Sequence, residues 1–216
     1  TENALEQFAN AAITSGRDFI FCASNQVYLE SGKTEPEDLT AERKALLDDS
    51  FLGLFYLNVI GHPSVVMHKK DINIEYDPQF HWVLDIDYYM RFMASHGGYH
   101  YIPERLVNIG KGSSQESYRY YKNIRVEIPE YFTLLAKYKS DLPLRNRHVF
   151  HLVWNLLKRF KIRNIAELRA TGYTGRLPEG VEDIIQYQKW IPGIILKQRP
   201  WSEALMRRCY KKITGV

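Results

Sequence analysis

The spacing of apolar residues predicts that helices and strands alternate along the first 141 residues of the chain. Leu5, Phe8 and Ala12 lie on one face of a helix that Gly16 is placed to end. The predicted elements are, in order, helix 3–13, strands 17–24 and 26–30, helix 40–57, strand 64–68, helix 85–96, a strand over 99–109 that Pro103 interrupts, and helix 115–138 with a break before Pro129. This alternation indicates the α/β class.

The pattern changes after residue 141. Helical spacing continues over residues 148–160, 183–196 and 201–213, with a kink expected at Pro192-Gly193, and no further strand is predicted. The charge changes at the same place, because residues 1–141 contain 14 basic and 20 acidic residues whereas residues 142–216 contain 15 and five. We therefore predict two parts, a domain over 1–141 and a basic, mainly α-helical extension over 142–216.

The basic extension predicts an anionic partner. Residues 147–161 and 201–213 each combine an apolar face with basic ends, and helices of this kind can lie in the interface of an anionic membrane. The alternative is that both helices pack on the preceding domain and expose a solvated basic face. No recognised nucleic-acid-binding module is present, so nucleic acid is not an expected partner.

The composition excludes a disordered chain, since 45% of the residues are hydrophobic and 25% are charged. Two cysteines do not form a disulfide framework, which favours a reducing compartment. Residues 1–15 do not resemble a signal peptide, and no apolar run is long enough to span a bilayer. We expect a cytoplasmic protein, with peripheral attachment to the inner face of the cytoplasmic membrane if the basic extension binds lipid.

The segment with the clearest chemical signature is Phe-His-Trp-Val-Leu-Asp-Ile-Asp-Tyr-Tyr-Met-Arg-Phe over residues 80–92. It places Asp85 and Asp87 at the start of an amphipathic helix, where unpaired N–H groups and the helix dipole stabilise carboxylates. Two interpretations are open from this segment alone. Asp85 is either a helix N-cap with Asp87 as an acid of the first turn, or part of a functional site.

Three neighbouring segments favour a functional site. They are Asn-Val-Ile-Gly-His-Pro-Ser-Val-Val-Met-His-Lys-Lys over 58–70, Tyr-Ile-Pro-Glu-Arg-Leu-Val-Asn-Ile-Gly over 101–110, and the loop Lys-Gly-Ser-Ser-Gln-Glu-Ser over 111–117. With the helix start, their order resembles the second half of family 2 glycosyltransferases of the GT-A fold, of the bacterial capsule and lipopolysaccharide type. Leu84 stands where that family usually has an acid. The resemblance covers roughly residues 1–140 and implies the acceptor-side, C-terminal half of a mixed sheet flanked by helices.

The resemblance implies inverting transfer of a sugar from a nucleotide-sugar donor to a glycan or lipid-linked acceptor in surface polysaccharide synthesis. Asp85 would be the catalytic base, taking the proton of the acceptor hydroxyl as that oxygen attacks the anomeric carbon. Asp87 would orient the site or cap the helix. Further residues implied for the donor and acceptor cleft, each with a purely structural alternative, are His62, Ser64, Trp82, Lys111 and Gln115.

The chain also departs from the family. The family's nucleotide-binding strand and loop, and the Asp-x-Asp that binds its metal, are not recognisable here. Asp85-Ile-Asp87 matches Asp-x-Asp literally, but no nucleotide-binding βαβ unit precedes it. We therefore predict no metal ligands in this chain, although the complete enzyme would need Mg²⁺ or Mn²⁺, and we expect a fragment or the product of a split gene. The alternative function is a non-catalytic glycan-binding or interaction module.

Overall fold

The computed structural model describes residues 1–70, 73–113, 115, 117–138 and 143–215. The chain divides into two compact units. The first unit contains Thr1–Phe80 and Leu84–Arg119, and the second contains His81–Val83 and Tyr120–Val216. The boundary predicted near residue 142 falls in a segment, residues 139–142, that lies outside the described residues.

The first unit is built on an open mixed sheet, and four strands of it lie in the described residues. β1 (Phe19–Tyr28) is the central strand; the others are β2 (Thr34–Glu37), β3 (Val66–His68) and β4 (His100–Lys111). On one edge β1 pairs antiparallel with β3 and then with β2, and on the other edge it pairs parallel with β4 along almost its whole length. The α/β class predicted from the sequence is confirmed.

The strands differ from the prediction in two places. β1 is one strand where two were expected, because its polar second half, from Ser24 to Tyr28, stays paired with β2 and β4. β4 runs through Pro103 as a single strand, and its register against β1 shifts between Cys22 and Ser24. Proline cannot donate to a ladder, so a register shift beside it is the expected adjustment.

Helices cover this sheet. They are α1 (Ala4–Ser15), α2 (Ala41–Asp49), α3 (Gly53–Tyr56) and α4 (Leu84–His96), and a 3₁₀ turn occupies Pro63–Val65. α1 ends at Gly16, whose φ of 62° is left-handed, as predicted. α4 packs its aromatic face on β1, with the ring centroid of Phe19 5.0 Å from Phe92 and 5.7 Å from Tyr89. This packing fixes the position of the first turn of α4.

The helix predicted over 40–57 is divided in two. α2 ends before Ser50, which is extended, and α3 begins at Gly53. A Cβ atom at Gly53 would lie 2.4 Å from the carbonyl oxygen of Leu46, so the chain can fold back on α2 here only because the residue is glycine.

The second unit is helical where it is described. α5 (Ser117–Tyr120) leads into it, and its helices are α6 (Ile124–Lys137), α7 (Arg147–Arg159), α8 (Ile165–Ala170), α9 (Val181–Lys189), α10 (Gly193–Lys197) and α11 (Arg199–Thr214). α7 is central, since Phe150, Val153 and Trp154 are buried. α6 continues through Pro129 where a break was predicted, and the expected kink at Pro192-Gly193 is an interruption between α9 and α10. Of the helices that the structure describes, none combines the length and apolar character that crossing a bilayer requires.

Candidate functional site

The two acids of the predicted site lie in the first turn of α4 but face different surroundings. Asp85 is the second residue of the helix and Asp87 the fourth. Both residues lie inside α4, so neither is the N-cap of the helix. Residues two apart on a helix point in different directions, and the two carboxylates are therefore placed for different tasks.

Asp87 is fully buried and paired with Arg91 one turn later. The Nε and Nη2 atoms of Arg91 lie 2.8 Å from Oδ2 of Asp87, and Nη2 also donates to the backbone carbonyl of Glu75 at 2.6 Å. The pair therefore connects α4 to the segment around residue 75. That connection is consistent with the orienting role predicted for Asp87, which stays a prediction.

Asp85 is half-buried, and none of the residues that the structure describes donates a hydrogen bond to its carboxylate or forms an ion pair with it. Burial raises the pKa of Asp85 to about 6. Two phenols lie close enough to sense its charge: the pKa values of Tyr76 and Tyr89 are raised first by burial and then by the carboxylate of Asp85. A carboxyl with a pKa near 6 is suited to exchanging protons at neutral pH.

Tyr76 is a candidate site residue that sequence reasoning missed. Its ring stacks on that of Tyr88, with centroids 4.5 Å apart and planes at 28°, and 43% of the residue remains exposed. Tyr88 lies on α4, and Tyr76 lies twelve residues earlier in the irregular segment before that helix. No periodicity in that segment could have shown that the ring of Tyr76 would stack on Tyr88 and sense the charge of Asp85.

The loop that carries His62 is held against α4. Asn58 brackets Gly61 by accepting from its N–H at 3.0 Å and donating to its carbonyl at 3.2 Å, and the Tyr89 hydroxyl donates to the same carbonyl at 3.3 Å. Gly61 has a φ of 92°, which favours glycine. These contacts fix the backbone immediately before His62.

His62 and Lys111, both predicted from the sequence, are in contact. The Nζ atom of Lys111, at the end of β4, lies 3.1 Å from Nε2 of His62. Burial and, to a lesser extent, the charge of Lys111 lower the pKa of His62, while Glu37 opposes them. His62 is therefore neutral at pH 7, and its Nε2 accepts the hydrogen bond.

A small polar pocket opens beside His62. It is partly open to solvent and has room inside for about one water molecule. Its polar lining comes from Ser24, Glu37, Asp38, Arg43, His62 and Tyr101. Within this lining Arg43 lies 3.2 Å from Glu37, while Arg105 pairs with Asp38 at 2.7 Å. The pocket is therefore far smaller than a ligand pocket, and the charges around it are mostly compensated.

The remaining predicted residues are Ser64, Gln115 and Trp82. Ser64 is exposed on the 3₁₀ turn, and the side-chain amide of Gln115 donates to the carbonyl of Gly110. Residues 114 and 116 of the predicted loop lie outside the described residues. Trp82 belongs to the second unit, where its ring centroid lies 6.2 Å from that of Tyr121.

Within the second unit, Glu130 holds the backbone of residues 81–83. Its carboxylate accepts hydrogen bonds from the N–H groups of His81, Trp82 and Val83 at 2.8–3.1 Å. Sequence reasoning gave no sign of this contact, because 47 or more residues separate Glu130 from the groups that it binds.

The two acids of the Asp-x-Asp are not arranged as a pair of metal ligands. The carboxylate of Asp87 is buried against the guanidinium of Arg91. Across the part of the chain that the structure describes, no group of three or more His, Cys, Asp or Glu side chains is arranged to hold a metal ion. Comparison with protein-family models, curated proteins and solved structures gave no match to this chain.

Proposed function

We propose that the chain supplies the acceptor side of an inverting, nucleotide-sugar-dependent glycosyltransferase with the acceptor-side GT-A topology, and that Asp85 is its general base. The observation that carries the proposal is the carboxyl of Asp85, which is half-buried, has its pKa raised to about 6 and lies near enough to two phenols to affect their pKa values. At neutral pH the group is mostly ionised, yet it binds a proton more tightly than an ordinary aspartate. Both properties are required of a base that must deprotonate a sugar hydroxyl.

The chemistry needs one proton acceptor on this side. The acceptor oxygen loses its proton to Asp85 as it forms a bond to the anomeric carbon, and the bond from that carbon to the donor phosphate breaks. The leaving phosphate carries away the electron pair and needs no proton from the protein. Because Asp87 is already paired with Arg91 and Asp85 acts as the base, groups outside this pair neutralise the charge of the phosphate.

Tyr76 supports a saccharide as the bound molecule. Its ring is stacked on Tyr88, is partly exposed and lies close enough to Asp85 to sense its charge, and aromatic faces pack well on the C–H faces of sugar rings. The same observation favours the second candidate function, a glycan-binding module without activity. The transferase requires the charged carboxylate of Asp85 as its base, whereas the binding module does not.

Replacing Asp85 by Asn in the complete enzyme separates the candidates. Asparagine keeps the shape of the side chain and removes the base, so we expect turnover, followed as released nucleoside diphosphate, to fall by about 10²–10⁴-fold. Binding of the acceptor glycan, measured by calorimetry, should change little. Wild-type turnover should itself fall as pH drops through about 6, because protonated Asp85 cannot accept a proton.

Glu6→Gln is the matched control, since Glu6 is an exposed first-turn acid of α1 and far along the chain from the site. Turnover of Asp85→Asn within about threefold of wild type would contradict the assigned base. Glycan binding without turnover in the wild-type protein would favour the binding module.

A further inference from the structure

A second surface of the molecule exposes large apolar side chains. We name it the 190–201 surface and define it by Trp190, Ile194, Ile195 and Trp201, which are 80%, 70%, 36% and 63% exposed. All four lie in one twelve-residue stretch of the second unit. The stretch covers the interruption between α9 and the short α10, α10 itself and the start of α11. Clustered exposure of this kind marks interaction sites, whereas single exposed apolar residues need no explanation.

The exposure is built into the fold, because the segment is anchored at both ends to Trp154. Before it, the side-chain amide of buried Gln188 donates to the Trp154 carbonyl at 2.9 Å. After it, the indole N–H of Trp154 donates to the hydroxyl of buried Ser202 at 3.2 Å. Between the two, Leu196 is buried. The backbone is therefore fixed while Trp190 and Trp201 point away from the core.

Basic residues flank these apolar side chains along the sequence. Residues 189–212 contain seven basic residues and one acidic residue, Glu203, whose carboxylate is paired with Arg199 at 2.8 Å. The basic residues are all exposed: Lys189, Lys197, Arg199, Arg207, Arg208, Lys211 and Lys212. The Nζ atom of Lys189 lies 5.5 Å from the ring centroid of Trp190, so charge and aromatic surface are adjacent.

This combination fits the interface of an anionic lipid bilayer. Tryptophan side chains prefer the headgroup level, where an apolar ring and a polar N–H are both accommodated, and basic side chains bind lipid phosphates. An apolar protein partner would offer no anionic groups to the six basic residues other than Arg199, which is paired with Glu203. The sequence had suggested residues 147–161 for a membrane contact, but the apolar face of α7 is buried in the second unit and is not available.

We propose that the 190–201 surface docks the protein peripherally on anionic bilayers. Trp190, Ile194 and Trp201 enter the boundary between headgroups and acyl chains, while the basic residues contact the phosphates. The inference goes beyond the proposed sugar transfer and does not depend on Asp85, so the failure of either leaves the other standing.

Flotation of the full chain with lipid vesicles tests the proposal. The vesicles are phosphatidylcholine alone or an equimolar mixture with phosphatidylglycerol, at low and high salt. We expect binding to the anionic vesicles that weakens with salt, since screening shortens electrostatic reach. The double variant Trp190→Ser, Trp201→Ser should bind about tenfold or more weakly, because two large side chains no longer leave water.

Leu5→Ser, Ile13→Ser is the matched control, since these residues of α1 are 77% and 80% exposed and lie far from the surface in sequence. The control should bind as wild type does. Circular dichroism checks that both variants fold, and quenching of wild-type tryptophan fluorescence by lipids brominated in their acyl chains gives an independent readout.

Three results would overturn the proposal: no binding to anionic vesicles, equal binding by wild type and a folded tryptophan variant, or binding without quenching by the brominated lipids. A dimer that dissociates in the tryptophan variant, found together with absence of vesicle binding, would assign the surface to a second copy of the chain. Single-stranded RNA bound in place of vesicles would equally overturn it.

Discussion

At the scale of single residues, the carboxyl of Asp85 carries an energetic cost. Its pKa is raised from 3.8 to about 6 in the folded protein. Between these values the folded state binds more protons than the unfolded state, so stability falls as pH rises from about 4 to about 6 and stays lower above that. A carboxyl that destabilises its own fold in its charged form is a common property of functional sites.

Asp85→Asn should therefore stabilise the protein at pH 8 by about 1–3 kcal/mol and change stability little at pH 4. The upper end is the full pKa shift, and partial exposure together with the helix dipole reduces it. Urea unfolding of wild type and variant at both pH values measures the difference. The control Glu6→Gln, a substitution at an exposed position, should change the free energy of unfolding by no more than about 0.5 kcal/mol. A gain that is the same at pH 4 and pH 8 would show that desolvation of the charge is not its cause.

The sequence was informative about Asp85 and silent about its surroundings. Two acids at the start of an amphipathic helix are visible as a pattern, because they depend only on local spacing. The pKa of Asp85, the ring of Tyr76 and the contact between His62 and Lys111 depend on which distant segments meet. Contacts between distant segments are decided by tertiary packing, which leaves no periodic signal in a single sequence.

At the scale of elements, the loop before His62 shows how much depends on one backbone conformation. Gly61 has a φ of 92°, and a Cβ atom there would meet nothing within 4 Å. Gly61→Ala should therefore act through backbone strain alone and destabilise the protein by about 1–2 kcal/mol.

Gly193 offers the matched control, because a Cβ atom there also meets nothing and φ is not left-handed. Alanine at this position, within α10, should be neutral or slightly stabilising. Thermal unfolding of the two variants compares them. Equal melting temperatures for the variants would mean that the loop relaxes without strain, and the fixed position of His62 would then need another cause.

Elements whose limits are set locally were predictable. The end of α1 at Gly16 and the helix over 84–96 follow from glycine chemistry and apolar spacing. The division between α2 and α3 was not predictable, since it depends on the approach of Gly53 to Leu46. Nor was the extension of β1 through polar Asn25 and Gln26, which both neighbouring strands hold in place by backbone pairing.

At the scale of the whole molecule, the proposal that this chain supplies only the acceptor side predicts that it binds nucleotide-sugar donors weakly. Motifs that hold the base, ribose and metal of a nucleotide-sugar are not recognisable in this sequence. We expect calorimetry of the chain with UDP-, GDP- and dTDP-sugars, in the presence of Mn²⁺, to give dissociation constants of about 1 mM or weaker. Micromolar binding of any of these donors would contradict the assignment of the chain to the acceptor side.

The pairing of β1 with β4 has a consequence for how the protein forms during synthesis. β1 ends at Tyr28, but the parallel partner that covers its second edge begins only at His100. Until that point has left the ribosome, a strand whose first five residues are all buried in the finished protein has an open edge. Open apolar edges recruit other chains, and parallel pairing between distant segments is slow. The nascent chain is thus most prone to aggregation over the interval in which α2, α3 and α4 are made, and a chaperone that shields β1 during that interval would raise the yield of folded protein.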